Sequence, residues 1–224
     1  QGLLGPDNIF NHCTALPDEG WKILREAGVR VNVCPRSDAH YGIENGMFAI
    51  EAAQRHGINP GLSVDNETSY STDMFMEMRV AFYLQRAMGM HHQHCCGSAQ
   101  ALKTLPAAQL LKAATVDGAA CAGLQHKVGS LTPGKQADLI LINAADLNLY
   151  PSGNAFGTVV HAAERSNIHT VMIGGRIVKQ DGRVVGVDSK RLRAAVDESC
   201  EYLFAAAGYK PDLFAENFLP LGQA

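Results

Sequence analysis

His12 and Asp65 are the residues of this chain whose types and places could do chemistry together. Each sits where a short apolar run of strand character gives way to a polar loop: His12 closes DNIFNH, and Asp65 closes GLSVD. A carboxylate and an imidazole at the mouths of two parallel strands can reach one metal ion and the water bound to it. A divalent metal lowers the pKa of such a water from about 16 toward about 7. An adjacent carboxylate can take the water's proton, and a neighbouring histidine can orient the water or stabilise a developing alkoxide.

Three strands must position these residues. Between the two runs above, VRVNVCP (29–35) makes a third, ending at the polar loop stretch Arg36 to His40. Two helical patterns, LPDEGWKILREAG and ENGMFAIEAAQRHG, separate the three, so the order is strand, helix, strand, helix, strand. That is the repeat of a parallel sheet. Strands near 8–12, 29–34 and 60–65 are expected as parallel neighbours, with His12 and Asp65 at one end. In a (β/α)8 barrel that end is where chemistry gathers.

Beyond Asp65, Met74, Phe75, Met78, Ala81 and Phe82 recur at helical spacing, with Ser71 or Thr72 available as a cap and Asp73 favourable in the first turn. Pro106 fits the first turn of another helix, and Gly118, Ala119, Ala120 and Ala122 are small enough for close approach. Gly174 and Gly175 separate VMI from RIV, a two-residue hairpin signal, and Asp181 with Gly182 marks the next turn. From Asp188 a last helix carries Leu192, Ala195, Val196 and Leu203 on one face.

The stretch from His12 through Asp65 resembles the last three barrel strands of the amidohydrolase superfamily, in its branch of cytosine, guanine and S-adenosylhomocysteine deaminases and triazine hydrolases. NHCTALPDEGWKIL is similar to that branch's sixth strand and helix, VNVCPRSD to its seventh, and GLSVDNETSYSTDMFMEMR to its eighth. VGSLTPGKQADLILIN (128–143) and VMIGGRIVKQDGRVV (171–185) resemble the return into a small β-sandwich beside the barrel. The resemblance implies an α/β fold: the C-terminal part of a TIM-type barrel over residues 1–127, β-sandwich strands over 128–187, and a C-terminal helix and tail over 188–224. The family's His-x-His pair of the first strand and the histidine of the fifth have no counterpart here, so the chain is read as the C-terminal part of a longer enzyme, holding a minority of the metal ligands.

By the resemblance, Asp65 ligates the metal and acts as general base, and His12 contacts the water and substrate. In two-metal branches His12 is itself a ligand. Taken singly, a turn aspartate or a strand-capping histidine is the plainer explanation for either residue. Their shared placement at strand ends, in this family context, favours the site. Cys34, Arg36, Asp38 and Asn66 are candidate substrate contacts, with Ser37, His40, Glu67 and Ser69 nearby; the plainer reading is a loop salt bridge between Arg36 and Asp38. Many relatives carry asparagine where this chain has Asp38.

The expected cofactor is a divalent metal, zinc first and iron second. The expected reaction is hydrolysis of a carbon–nitrogen bond other than a peptide bond, deaminating or displacing a substituent on a nitrogen heterocycle. Alternatives are a ring-opening cyclic amidohydrolase of the dihydropyrimidinase or imidazolonepropionase kind, and a non-catalytic barrel fragment used for binding or assembly. GMHHQHCCGS (89–98) offers three histidines and two cysteines, but with no second half at a defined spacing it reads as a connecting loop. Asp138 and Lys135 read as structural, the aspartate bonding backbone at a strand entrance.

Composition sets outer bounds. With 22 acidic against 19 basic residues, charge favours neither nucleic acid nor an anionic membrane as partner. The expected partners are the small heterocycle, the rest of the barrel and further copies of the chain in a homo-oligomer. Six scattered cysteines in an enzyme-sized chain suit reduced thiols and a cytoplasmic protein.

Overall fold

The computed structural model describes residues 2–44, 46–66, 72–95 and 104–211. It divides into two units, residues 1–183 and 184–224.

The first unit begins with β1 (Ile9–Asn11), α1 (Asp18–Ala27) and β2 (Arg30–Val33). Helix α1 buries Trp21 and Leu24 and stops at Gly28, whose φ of 71° no side-chain-bearing residue adopts cheaply. Its amide then donates to Arg25 O, closing the helix. Strand β2 alternates, with Val31 and Val33 almost wholly buried. Directly after it comes α2 (Pro35–Tyr41), so the stretch Arg36 to His40 is helical rather than a loop. Pro35 at the first helical position and Gly42 at the end, with φ 62°, are its start and stop signals. Helix α3 (Ile50–Arg55) buries Ile50 and Ala53 and leads to β3 (Gly61–Leu62).

The three strands are parallel in the order β1-β2-β3, with Phe10 opposite Val31 and Val33 opposite Leu62. All three therefore run out at the same end. A Cβ on Gly61 would lie 2.6 Å from Asn32 Oδ1 and 3.1 Å from Gly118 Cα, so β3 tolerates only glycine there and the following helices pack against its backbone.

Helix α4 (Met74–Cys95) is capped by Asp73, whose Oδ1 accepts from Phe75 N at 3.0 Å; the carboxylate sits before the first turn rather than in it. Of the two expected caps, Ser71 lies outside the described residues, and Asp73 takes the place expected of Thr72. One face of α4 buries Phe75, Met78 and Ala81 together with Glu77 and Gln85. The helix continues through His91, His92, His94 and Cys95, all exposed, so this half of GMHHQHCCGS is helix and not loop. Residues 96–98 lie outside the described set.

Helix α5 (Ala107–Lys112), a π-helical turn (Ala113–Asp117) and α6 (Gly118–Cys121) form one helical path, with Pro106 just before its start. Then β4 (Leu139–Ile142), the short α7 (Ala155–Gly157), β5 (Ile168–Ile173) and β6 (Arg176–Gln180) follow, and the three strands pair antiparallel in sequence order. Gly174 and Gly175, at φ 56° and 79°, turn β5 into β6, and Gly174 N donates to Asp138 Oδ1 at 2.6 Å, the structural role expected of that aspartate. Val31, Val33 and Leu62 share one core with Trp21, Ile50, Phe75, Met78, Leu110 and Val160. Each such fully buried side chain contributes about 1.5–3 kcal/mol.

The second unit holds α8 (Ser189–Ala207), capped by Asp188, whose Oδ1 accepts from Lys190 N and Arg191 N, and closed by Gly208 at φ 62°. Among the described residues no helix is long and apolar enough to cross a membrane.

Candidate active site at the strand ends

His12 extends the parallel ladder by one bond, its amide donating to Asn32 O at 3.0 Å, and then leaves the sheet with φ 66°. Asp65, three residues past the end of β3, takes the same left-handed conformation, φ 67°. For residues with a Cβ this costs about 1–2 kcal/mol. Strain of this kind at two strand ends is itself a pointer to function.

The strand ends bring His12, Cys34 and Asp65 together: one donor atom from each lies within 4.8 Å of the others, the only such group of three among the described residues. Donors sharing one zinc at bonds of about 2.0–2.3 Å lie within about 4.6 Å of one another. The imidazole and carboxylate are therefore close to the spacing a single cation imposes.

Helix α2 braces this group. Ser37 Oγ donates to Asp65 Oδ2 at 2.5 Å, and Asn66 Nδ2 donates to the same oxygen at 3.2 Å. His12 Nδ1 lies 2.6 Å from Asp38 Oδ1, and Asp38 is fully buried. Arg36 Nε meets Glu77 Oε1 of α4 at 2.5 Å, and Arg36 N also donates to Glu77 Oε2 at 3.3 Å. Arg36 and Asp38 thus bond to Glu77 and His12 rather than to each other, and both are buried. Asn66 stays half-buried at the rim beside Asp65.

Burial dominates the ionisation of this region. It pushes the Cys34 thiol up to about 12, with the negative charges of Asp38 and Asp65 adding to the effect. Without a bound cation, Cys34 at neutral pH is a neutral, buried wall of the site. Burial also raises Asp38, against the pull of its bond to His12, and raises Glu77, against the pull of the Arg36 guanidinium.

Glu77 is the member that sequence reasoning missed. The signal was present: it falls on the apolar face of α4 between Phe75 and Met78, where an acidic residue needs a buried partner. A cavity of about 580 Å³ between α4 and the antiparallel sheet, lined by Phe75, Met78, Ile140 and Val171 among others, includes none of these site residues. Neither does the exposed histidine-rich turn of α4 join the three-donor group.

Comparison with known proteins matches residues 2–178 to the amidohydrolase family. A 5-methylthioadenosine/S-adenosylhomocysteine deaminase of Desulfitobacterium hafniense is 32% identical over 88% of this chain and 43% of its own length. A zinc-bound adenosine deaminase of Xanthomonas campestris superposes with a TM-score of 0.77 at 28% identity, covering 91% of this chain and 44% of that one. An atrazine chlorohydrolase of Arthrobacter aurescens, crystallised with zinc, shares the fold with a TM-score of 0.74 at 19% identity, over 87% of this chain and 41% of that one. The chain spans less than half the length of the curated relatives it matches.

Proposed function

Because this chain belongs to the amidohydrolase family, we propose that it supplies one side of the active site of a metal-dependent hydrolase that deaminates a nitrogen heterocycle, a nucleoside-type purine in the first instance. In this reading β1, β2 and β3 are the sixth to eighth strands of an eight-stranded barrel, residues 128–187 belong to a β-sandwich beside it, and 188–224 form a C-terminal helix and tail. The remaining strands and metal ligands come from other polypeptide. The observation that carries the proposal is the convergence of His12 and Asp65 at the same strand ends, each through a left-handed backbone residue. The deaminase relatives supply the substrate class.

The residues present fit a zinc-type cation. Imidazole and carboxylate are its usual donors, and their spacing approaches that of one shared ion. When bound, the metal supplies the Lewis acidity that brings a water's pKa from about 16 toward about 7. Asp65 would hold the cation and could accept a water's proton, and Ser37 and Asn66 fix its Oδ2. His12, with Nδ1 engaged by Asp38, offers Nε2 as an acceptor to the water. Asn66 contacts the substrate at the rim, Cys34 forms the wall of the pocket that the substrate meets, and Arg36 and Asp38 hold these parts in place.

The test is Asp65→Asn in the full-length enzyme, with metal content and adenosine-type deaminase activity measured on the same preparation. The expected result is loss of most of the metal and of turnover. Retention of both removes Asp65 from the site and with it the proposal.

A further inference from the structure

Two consecutive residues of α2 hold both candidate residues at once: Ser37 reaches Asp65 and Asp38 reaches His12. We infer that Ser37 and Asp38 form a positioning pair, in which Asp38 sets the tautomer and ring plane of His12 while Ser37 fixes the rotation of the Asp65 carboxylate. The inference rests on the hydrolase reading for its consequence in catalysis, but not for its structural content.

The energetics of Asp38 argue for such a role. Its side chain is fully buried, Oδ1 has His12 as its side-chain partner, and Oδ2 has no hydrogen-bond partner among the described residues. Arg36, its neighbour, is committed to Glu77. A buried carboxylate so poorly compensated opposes folding, and an apolar residue of similar size would pack there at less cost. What the carboxylate does give is a strong, directional acceptor 2.6 Å from Nδ1. With Asp38 ionised its oxygens can only accept, so Nδ1 carries the hydrogen and Nε2 of the neutral ring keeps its lone pair. Nε2 has no partner among the described residues and is the nitrogen left for water, substrate or metal, since histidines that ligate through one nitrogen commonly donate from the other to a carboxylate.

Placement on one short helix adds a second element to the argument. Because Ser37 and Asp38 are adjacent, a shift of α2 would move both contacts together. The Arg36–Glu77 pair ties that same turn to α4, so three successive side chains lock it on three sides.

The experiment uses the full-length protein labelled with 15N-histidine, with His12→Ala identifying the His12 resonances. In metal-free wild type at neutral pH, His12 should show a protonated Nδ1 and a bare Nε2. Asp38→Ala should move it toward the Nε2–H form usual for free imidazole, and Asp38→Asn, which keeps an acceptor oxygen, should restore part of the wild-type signal. In the metal-loaded enzyme, Asp38→Ala should lower kcat by about a hundredfold or more with KM little changed, as loss of an orienting group does, and Ser37→Ala should lower kcat less. Thermal melts should show Asp38→Ala folded and no less stable than wild type. A wild-type His12 protonated on Nε2, or a His12 signal unmoved by Asp38→Ala, overturns the inference. Because the tautomer is read without metal or substrate, that result stands apart from a failure of the hydrolase reading, which would appear as absent turnover in wild type.

Discussion

His12 and Asp65 each leave their strands through φ near +66°, and residues with side chains hold that conformation only where neighbours enforce it. The enforcement is visible at both: Asn32 O takes the His12 amide, and Ser63 Oγ takes the Asp65 amide at 3.2 Å. The two roles open to His12 separate in one variant. With His12 as a water or substrate contact, His12→Ala in the full-length enzyme should keep its metal and lose about a hundredfold or more in turnover. Release of metal, with partial rescue by added zinc, would make His12 a ligand instead. Cys34 gives a second expectation. With its thiol held near pH 12, it should resist iodoacetamide at pH 8 in the folded protein, while exposed Cys95 reacts. Thiolate appears at Cys34 only as pH rises toward 12, so peptide mapping that found it alkylated at pH 8 would contradict its neutral, buried state.

At the level of elements, the Arg36–Glu77 pair is the joint between α2 and α4. Glu77→Ala leaves a buried guanidinium without this partner and should cost about 3–5 kcal/mol in urea unfolding. The double change Arg36→Met with Glu77→Leu should recover most of that loss, because both buried charges go together. A loss below about 1 kcal/mol in the single variant would mean that the pair with Glu77 adds little to the other contacts of Arg36. This joint also shows where the sequence was readable. The strands were legible because Ile9, Phe10, Val31, Val33 and Leu62 are apolar residues bounded by polar loops, and α1 because Trp21 and Leu24 recur at helical spacing. Helix α2 was not, since PRSDAHY has no apolar period; its buried residues are polar and are held by partners 26 to 41 positions away. Sequence names the types that could act, but pairing at that distance is a tertiary fact. The same applies to the end of α4, where histidines and cysteines read as a loop because propensity at a helix terminus is weak.

Across the whole molecule, the sheet is most exposed where the proposed barrel would continue. Strand β2 lies between two neighbours and buries Val31 and Val33, but all three residues of β1 are exposed, Ile9 at 43% and Phe10 at 38%. An edge strand with open ladder groups and exposed apolar side chains invites pairing with further polypeptide. The relatives it matches are more than twice its length, and in the proposed reading that further polypeptide belongs to the same enzyme. In hydrogen exchange, peptides covering 7–12 should therefore exchange fast in the 224-residue chain and slowly in the full-length enzyme, whereas peptides covering 29–34 should be protected in both. Local opening of an unpaired edge costs little, while opening β2 breaks two ladders and the core around Val33. Equal protection of β1 in the two proteins would show that its edge meets nothing beyond this chain and would undo the barrel continuation on that side. Protection of β1 in the short chain that rises with its concentration would instead show that copies of the chain pair through this edge when the natural neighbour is missing.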